Sequence, residues 1–233
     1  MNATCIVQAR MGSARLPGKS MESIGGVPVI EIVLRRLAKA KRLARVVLAT
    51  SNLVRDDVLA ARAAKLGFPV FRGSETDLVA RFVGAAARFS DGPYLVRATG
   101  DNAFMDWDEI DRAVAHGIDG NYDFVGWTNP VHPDRQNDFA AEFLRRDALD
   151  RVAAAAREPH DREHVFPYFY AHPELFKVTR IEVAARLHTP VKLDLDYPDD
   201  LRTLQAIGRE IGDPVAAPAS RAVEIANRIR ISA

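Results

Sequence analysis

Short apolar runs alternate along the first half of the chain with longer segments in which apolar residues recur every three or four positions. The run "TCIVQ" (4–8) is typical of a buried strand, whereas "PVIEIVLRRLAKAKR" (28–42) has the spacing of an amphipathic helix. The same alternation predicts strands at 45–50, 69–72, 94–100 and 122–127 and helices at 55–67, 76–89 and 107–117, the third helix capped by Thr76. This order predicts an α/β fold with a doubly wound, mostly parallel Rossmann-like sheet and helices on both faces.

The pattern breaks at residue 128. The stretch "TNPVHPDRQNDFAAEF" (128–143) is rich in Pro, Asn and Asp, and we interpret it as a small excursion from the sheet: a flap, a β-arm or a dimer contact. Further elements are predicted beyond it, namely helices at 146–157, 161–170, 198–212 and 220–229 and strands at 175–181 and 190–195. Since nothing in the sequence reads as a linker, we expect one domain over 1–233.

Composition narrows the possible partners. The formal net charge is only +1, so the chain has no overall field for nucleic acid or an acidic membrane, and any anion site must be local. A single cysteine, Cys5, excludes a disulfide framework and fits a reducing compartment. With no secretion signal at the N-terminus and no apolar run near the roughly 20 residues of a membrane span, we expect a cytoplasmic protein.

Positive charge is concentrated in "QARMGSARLPGKS" (8–20), directly after the first predicted strand. In parallel sheets of this kind, ligands bind at the carboxyl ends of the strands. A Gly/Ser loop there can turn backbone N–H groups toward an anion, and Arg10, Arg15 and Lys19 add charge suited to a polyphosphate. The spacing matches neither a Walker A loop nor GxGxxG. A solvated turn with incidental basic residues is the alternative interpretation.

Carboxylates follow two later predicted strands. Asp101 comes after the fourth strand, with Asp106 five residues on, and Asp194 and Asp196 share one face of the strand predicted at 190–195. Such oxygens can hold a hard divalent cation that bridges to substrate phosphates, although an Asp in either place can equally cap a turn or a helix. A basic loop with two strand-end carboxylates is the layout of metal-assisted attack on a nucleotide phosphate.

Several of these motifs together match a known family. The stretches "QARMGSARLPGK", "VFRGSETD", "TGD", "REHV" and "DYPDDL" resemble the cytidylyltransferases that make CMP-activated sugars, in particular the SpsF type, with CMP-Kdo and acylneuraminate synthetases as more distant relatives. The resemblance implies a nucleotide-diphospho-sugar transferase type of fold and a homodimer. It also implies CTP as substrate, Mg²⁺ as cofactor, and a small-molecule acceptor such as a sugar acid that receives CMP while pyrophosphate leaves.

Roles for individual residues follow from the same resemblance. Nucleotide binding falls to Ala9, Arg10, Gly12, Ser13, Arg15, Lys19, Arg72 and Thr99, with Arg72 at the place where relatives read cytosine. Arg10, Lys19 and Asp101 would be catalytic, and Asp101 and Asp196 would bind the metal. Acceptor binding would use Glu142, Arg162 and His164, although a lone helical histidine such as His164 is more often structural.

The sequence also departs from the family pattern. This chain has "TGDNAFMD" where relatives usually have "TGDCPLID", and "DFAAEF" (138–143) where they tend to have "GLDVEV". The nucleotide half, about 1–127, matches the family's motifs well, whereas the acceptor or dimer region, about 128–190, departs from them. Three alternatives therefore stay open: a non-sugar acceptor such as a phosphonate, a non-catalytic nucleotide-binding homologue, and a glycosyltransferase that shares the architecture.

Overall fold

Strands and helices alternate through most of the computed structural model, which describes residues 2–131, 139–163 and 165–231. The strands are β1 (Ala3–Gln8), β2 (Ser23–Ile24), β3 (Val27–Pro28), β4 (Leu43–Ser51), β5 (Val70–Gly73), β6 (Tyr94–Thr99), β7 (Phe124–Thr128), β8 (Glu142–Arg145) and β9 (Val178–Glu182). The α-helices are α1 (Val29–Leu37), α2 (Asp57–Lys65), α3 (Leu78–Phe89), α4 (Trp107–Asp119), α5 (Arg146–Ala155), α6 (Pro159–Glu163), α7 (Val165–Ala171), α8 (Pro198–Ile211) and α9 (Ala219–Ile231).

Seven strands of the described chain form one sheet in the order β5-β4-β1-β6-β8-β7-β9. All neighbouring pairs are parallel except those of β8, which runs antiparallel to β6 and to β7. The chain leaves β1 toward β4 and β5 and then returns to the other side of β1 with β6. This reversal is a topological switch point, where a crevice for a ligand opens beyond the strands' carboxyl ends. The predicted doubly wound α/β class is confirmed.

Apolar side chains on the two faces of the sheet form two cores. One core packs α1, α2, α4, α8 and α9 against the sheet, and the other packs α3, α5 and α7. The hydrophobic periodicity predicted these helices because each buries one apolar stripe, as Leu78, Phe82 and Ala85 of α3 do. Among the described residues, no helix combines the length and the apolar character needed to cross a bilayer.

Two local predictions were wrong. The strand predicted at 190–195 does not form: Leu193 and Leu195 are fully buried, but the segment crosses the end of the sheet, where Leu195 N–H donates to Asp101 O at 3.1 Å. The alternation of apolar and polar residues in this segment therefore reflects the burial of the two leucines and not the hydrogen-bonded pairing of a β-strand. The cap of α3 is Asp77 rather than Thr76, because the Asp77 carboxylate accepts the Ala80 N–H at 2.8 Å. The excursion predicted at 128–143 falls partly on 132–138, outside the described residues.

A buried arginine joins the C-terminal segment to the sheet layer. Arg36 of α1 is fully buried and donates to the carbonyl oxygens of Met105, Pro214 and Ala217. Burial lowers the pKa of Arg36 to about 10, so the guanidinium stays charged at neutral pH. Its hydrogen bonds fix the turn before α9 beside the loop that follows β6.

Candidate active site

A cavity of about 360 Å³ lies at the switch point, beyond the carboxyl ends of β1 and β6. Gln8 and Thr99, the last residues of these two neighbouring strands, both line it. The predicted residues that line the cavity are Ala9, Arg10, Ser13, Arg15, Lys19, Thr99 and Asp101. The structure therefore brings the basic loop and the residues after β6 together at one site.

The basic loop is held in shape by its own backbone and by a buried carboxylate. Gly18, with φ of 81°, adopts the left-handed conformation that favours glycine, and its N–H donates to Met11 O at 3.0 Å. The fully buried carboxylate of Asp56 accepts the Met11 N–H at 2.7 Å and also binds Ser51 at the end of β4. Asp56 thus joins the start of the loop to the sheet.

Gly12 packs closely against two side chains at the same loop. A Cβ on Gly12 would meet the guanidinium of Arg55 and the carboxylate of Glu75 at 2.8 Å. Arg55 and Glu75 form an ion pair behind the loop. Gly12 does not line the cavity, and its binding role stays a prediction.

Lys19 lies at the centre of the polar site. It is only 9% exposed, and its Nζ donates to Asp101 Oδ2 at 2.6 Å, to Asp196 Oδ1 at 3.0 Å and to Leu195 O at 2.7 Å. Arg15 reaches the same carboxylate, with Nη2 at 2.6 Å from Asp196 Oδ1. Two cations of the loop and the two predicted metal carboxylates are therefore in direct contact, although Asp196 itself lies just beside the cavity.

Three cations control the charge of Asp196. Burial opposes its ionisation, but the hydrogen bond from Lys19 and the charges of Lys19, Lys192 and Arg15 outweigh it and lower the pKa of Asp196. Lys192 also binds Asp200 Oδ2 at 2.6 Å and Asp194 Oδ1 at 3.0 Å. Burial, by contrast, raises the pKa of Asp194. Asp194 pairs with Lys192 beside the site, and Asp200 accepts backbone N–H groups at the start of α8.

The donor set suits a divalent cation that is shared with a substrate. Asp101 and Asp196 present carboxylate oxygens to one ammonium, so they lie close enough to act together. Within the described residues, no group of three or more His, Cys, Asp or Glu side chains is arranged to hold a metal by itself. Mg²⁺ commonly binds through one or two carboxylates and completes its shell with water and substrate phosphates, so the pair fits that ion.

The other part of the cavity combines guanidinium groups with carboxylates. Arg10 donates to Glu75 O at 3.2 Å and pairs with Glu163 Oε1 at 3.4 Å. Arg81 is 4% exposed, lines the cavity and donates to Ser74 O at 2.8 Å, while its Nε has no hydrogen-bond partner among the described residues. Burial first, and then the nearby charge of Arg10, lowers the pKa of Arg81 to about 10.

Arg72, Arg162 and Glu142 do not line the cavity. Arg72 donates to the carbonyl oxygens of Ser51 and Leu53 and pairs with Asp57. Arg162 donates to Asp77 Oδ2 at 2.8 Å and to the carbonyl ends of α5. The binding roles of these three residues stay predictions.

Two further candidates came from the sequence, His164 and Asp106. His164 lies outside the described residues. Asp106 takes the alternative role considered from the sequence, because it caps α4 by accepting the N–H groups of Asp108 and Glu109 and pairs with Arg186 at 2.7 Å.

Sequence reasoning missed Gln8, Glu75 and Arg81, all of which line the cavity. A signal existed for Arg81. It shares the inward face of α3 with Leu78 and Phe82, and a charged residue at an apolar helix position is unusual unless it has a partner. Glu163 was noted within "REHV", and the structure places it, rather than Arg162, in the lining.

A basic loop and two carboxylates that meet at the switch point of an α/β sheet are the arrangement expected of a nucleotidyltransferase. The sequence profile described as cytidylyltransferase matches residues 4–207, most of the chain. The protein belongs to the cytidylyltransferase family.

Individual relatives agree with this assignment. The spore coat polysaccharide biosynthesis protein SpsF of Bacillus subtilis is 32% identical over 230 residues, which cover 96% of this chain and 93% of SpsF. The structure of a cytidylyltransferase from Leptospira borgpetersenii superposes with a TM-score of 0.86 at 29% identity, covering 100% and 95% of the two chains. A CMP-2-keto-3-deoxy-manno-octonic acid synthetase solved with CTP has the same fold, with a TM-score of 0.71 at 16% identity over 90% and 99% of the chains.

Proposed function

We propose that this enzyme transfers CMP from CTP to a hydroxyl group of a sugar acid and releases pyrophosphate in a Mg²⁺-dependent reaction. The observation that carries the proposal is the contact of Lys19 with both Asp101 and Asp196 at the end of the basic loop. Such a cluster combines a cation for the triphosphate with carboxylates for a metal, as nucleotidyl transfer requires.

In the proposed reaction the acceptor hydroxyl oxygen forms a bond to the α-phosphorus of CTP. The bond from that phosphorus to the bridging oxygen breaks, pyrophosphate leaves, and the hydroxyl proton is released. Arg10, Arg15 and Lys19 of the loop offset the negative charge of the triphosphate and of the departing pyrophosphate. Ser13 offers a hydroxyl in the same loop. The charges are fixed before substrate binds, because Lys19 is buried and held by three oxygen atoms.

Asp101 and Asp196 would hold the Mg²⁺ ion. When bound, the ion supplies charge stabilisation for the phosphate oxygens. The low pKa of Asp196 keeps this carboxylate ionised at neutral pH, as a ligand must be. Catalysis in this site rests on positioning and electrostatics, and no covalent nucleophile is needed.

The family and the cavity support a small acidic acceptor. SpsF takes part in polysaccharide biosynthesis by its name, and the CMP-2-keto-3-deoxy-manno-octonic acid synthetase acts on a sugar acid by its name. In this chain the cavity extends beyond the basic loop to Arg81 of α3, which could pair with a carboxylate. A sugar acid therefore fits the space and the charge.

A pyrophosphate-release screen tests the proposal. The purified protein is incubated with CTP, Mg²⁺ and a panel of sugar acids, with phosphonates as a second panel. We expect release only when a sugar acid is present, and thermal shifts larger with CTP than with UTP, GTP or ATP. Release with phosphonates alone would contradict the sugar-acid acceptor, and equal shifts with all four nucleotides would contradict the choice of CTP.

A further inference from the structure

A chain of polar side chains, centred on a buried arginine, crosses three strands of the sheet and ends at the cavity. Glu142 of β8 faces Arg97 of β6 in the strand register, and Arg97 Nη1 donates to Glu142 Oε1 at 2.8 Å. Arg97 Nε in turn donates to Oε1 of Gln8, the last residue of β1, at 3.1 Å. Arg97 is only 7% exposed, and its guanidinium lies 4.2 Å from the ring centre of Phe166.

The chemistry of this chain fixes the orientation of the Gln8 amide. A guanidinium has only donors, so the atom of Gln8 that faces Arg97 must be the carbonyl oxygen. The amide NH₂ group then points away from Arg97. Because Gln8 lines the cavity, this orientation makes its NH₂ group a donor for a bound molecule. The two orientations of an isolated glutamine amide differ little in energy. The hydrogen bond from Arg97 therefore selects the orientation in which the carbonyl oxygen faces the guanidinium.

We infer that Gln8 is a specificity-determining residue that donates to an oxygen of the acceptor substrate, and that Arg97 and Glu142 are positioning residues that hold its amide. The inference rests on the proposed function and deepens it. An amide donor binds a carbonyl, hydroxyl or carboxylate oxygen without adding a further charge to the cavity, and such oxygens are the recognition groups of a sugar acid.

The acceptor, and not the nucleotide, is the partner that the location favours. The cations assigned to the triphosphate, Arg10, Arg15 and Lys19, come from the loop after β1. The groups that orient Gln8 come instead from β6 and β8, on the opposite side of β1 from β4 and β5. Glu142 lies in the segment that the sequence links to the acceptor, and it does not line the cavity. Its effect on the acceptor is therefore transmitted through Arg97 and Gln8.

The first test compares Gln8→Met with the wild-type enzyme, using CTP alone and then the acceptor found in the screen. Loss of one hydrogen bond, stronger if the acceptor oxygen is charged, should raise the acceptor KM by about tenfold or more. The dissociation constant for CTP, measured by calorimetry, should stay within about twofold. Gln205→Met is the matched control, because Gln205 of α8 does not line the cavity and its amide donates to Ser23 O at 3.4 Å.

The second test removes the positioning residues as a pair. Arg97→Met/Glu142→Met replaces both charges at once and avoids leaving either one buried alone. We expect the same rise in acceptor KM as in Gln8→Met, with kcat nearly unchanged. Adding Gln8→Met to this pair should raise KM much less than it does in the wild-type background, since the three residues act as one unit. A purely structural role would lower stability without this KM pattern.

The outcomes separate the inference from the proposed function. A wild-type protein that releases no pyrophosphate with any acceptor would overturn the proposed function, and with it the acceptor assigned to Gln8. A wild-type enzyme that turns over while Gln8→Met matches it in every parameter would overturn this inference alone. A tenfold weaker affinity for CTP in Gln8→Met, with an unchanged acceptor KM, would overturn it as well, because Gln8 would then contact the nucleotide.

Discussion

The Nζ of Lys19 donates to Oδ2 of Asp101 at 2.6 Å, although 82 residues separate them in the sequence. The contact joins the loop after β1 to the turn after β6, across the switch point of the sheet. The contact also places a cation that we propose binds the triphosphate next to a carboxylate that we propose binds the metal.

Replacing Lys19 with Ala should lower kcat/KM for CTP by about 10²–10³-fold, the usual loss when one charged donor is removed from a transition state. The variant also leaves Asp101 and Asp196 without their shared ammonium, which should weaken CTP binding. Steady-state kinetics measures this loss, and circular dichroism checks that the variant keeps its fold. Lys39→Ala is the control, because Lys39 is exposed and donates to Val215 O. Wild-type rates in Lys19→Ala would remove this residue from the catalytic site.

Asp101→Asn and Asp196→Asn should each raise the Mg²⁺ concentration needed for half-maximal rate and lower kcat by about 10²-fold or more. The amide removes the negative charge that the ion requires but keeps the shape of the side chain. Titrating the rate with Mg²⁺ measures both effects. Asp108→Asn, on the exposed face of α4, should behave as the wild-type enzyme does. An unchanged Mg²⁺ dependence in both site variants would contradict the metal assignment.

Arg81→Met should impair catalysis more than Arg72→Met. Arg81 lines the cavity and is buried, whereas Arg72 binds the carbonyl oxygens of Ser51 and Leu53 away from it. We expect a rise in KM of about tenfold or more for one substrate in Arg81→Met, the typical cost of a lost charged hydrogen bond. Kinetics of the two variants side by side measure the difference. A larger loss in Arg72→Met would support the base-reading role that the family resemblance implies for it.

Arg162→Met should reduce stability more than activity. The guanidinium links α6 to the Asp77 carboxylate at the start of α3 and to the carbonyl ends of α5. Loss of a charged hydrogen bond of this kind costs about 1.5–3 kcal/mol, or a Tm lower by several degrees in a chain of this length. Thermal unfolding and acceptor KM are measured together. A large rise in KM at unchanged Tm would support direct acceptor binding instead.

We expect the carboxylate of Asp213 to make a pH-dependent contribution to the free energy of unfolding. The N–H groups of Ala216 and Val215 lower the pKa of Asp213 in the folded protein below its ordinary value of 3.8. The stabilisation is therefore fully present above that ordinary value and is lost as the pH falls through the lowered pKa. Because Asp213 is exposed, solvent screens this contribution, and Asp213→Ala should lower Tm by no more than about 2–4 °C at pH 7.

The difference between wild type and Asp213→Ala should shrink in unfolding scans below pH 4. Asp213→Asn, which keeps an acceptor oxygen, is the control and should lose less. A gap between wild type and Asp213→Ala that does not change with pH would contradict the role of the ionised carboxylate.

The sequence predicted the fold well because each helix and strand buries an apolar pattern of its own. Residues 4–8 and 94–100 lie on central strands, and the order of the elements was sufficient to place their carboxyl ends together. The segment 190–195 misled the prediction because the burial of Leu193 and Leu195 gives the same alternation as a strand. A pattern of burial does not say whether the backbone has a neighbouring strand to pair with.

The site was predictable only in part. The motifs predicted that Lys19, Asp101 and Asp196 lie together, and the structure brings them into contact. Lys19 and Asp101 follow β1 and β6, whose carboxyl ends share one edge, whereas Asp196 reaches that edge from a segment that is not a strand. Gln8 was missed because its importance depends on Arg97 and Glu142, which are distant in sequence and reach it only through the sheet register. The homodimer and the division at about residue 127 stay predictions.

The most direct test is release of pyrophosphate from CTP by the wild-type enzyme, with and without Mg²⁺ and a sugar acid, next to Lys19→Ala. We predict release that requires CTP, Mg²⁺ and the acceptor together and that falls at least about 100-fold in Lys19→Ala. Release at the wild-type rate in Lys19→Ala, or no release from the wild-type enzyme with any sugar acid, would contradict the proposal that this loop and its carboxylates transfer CMP.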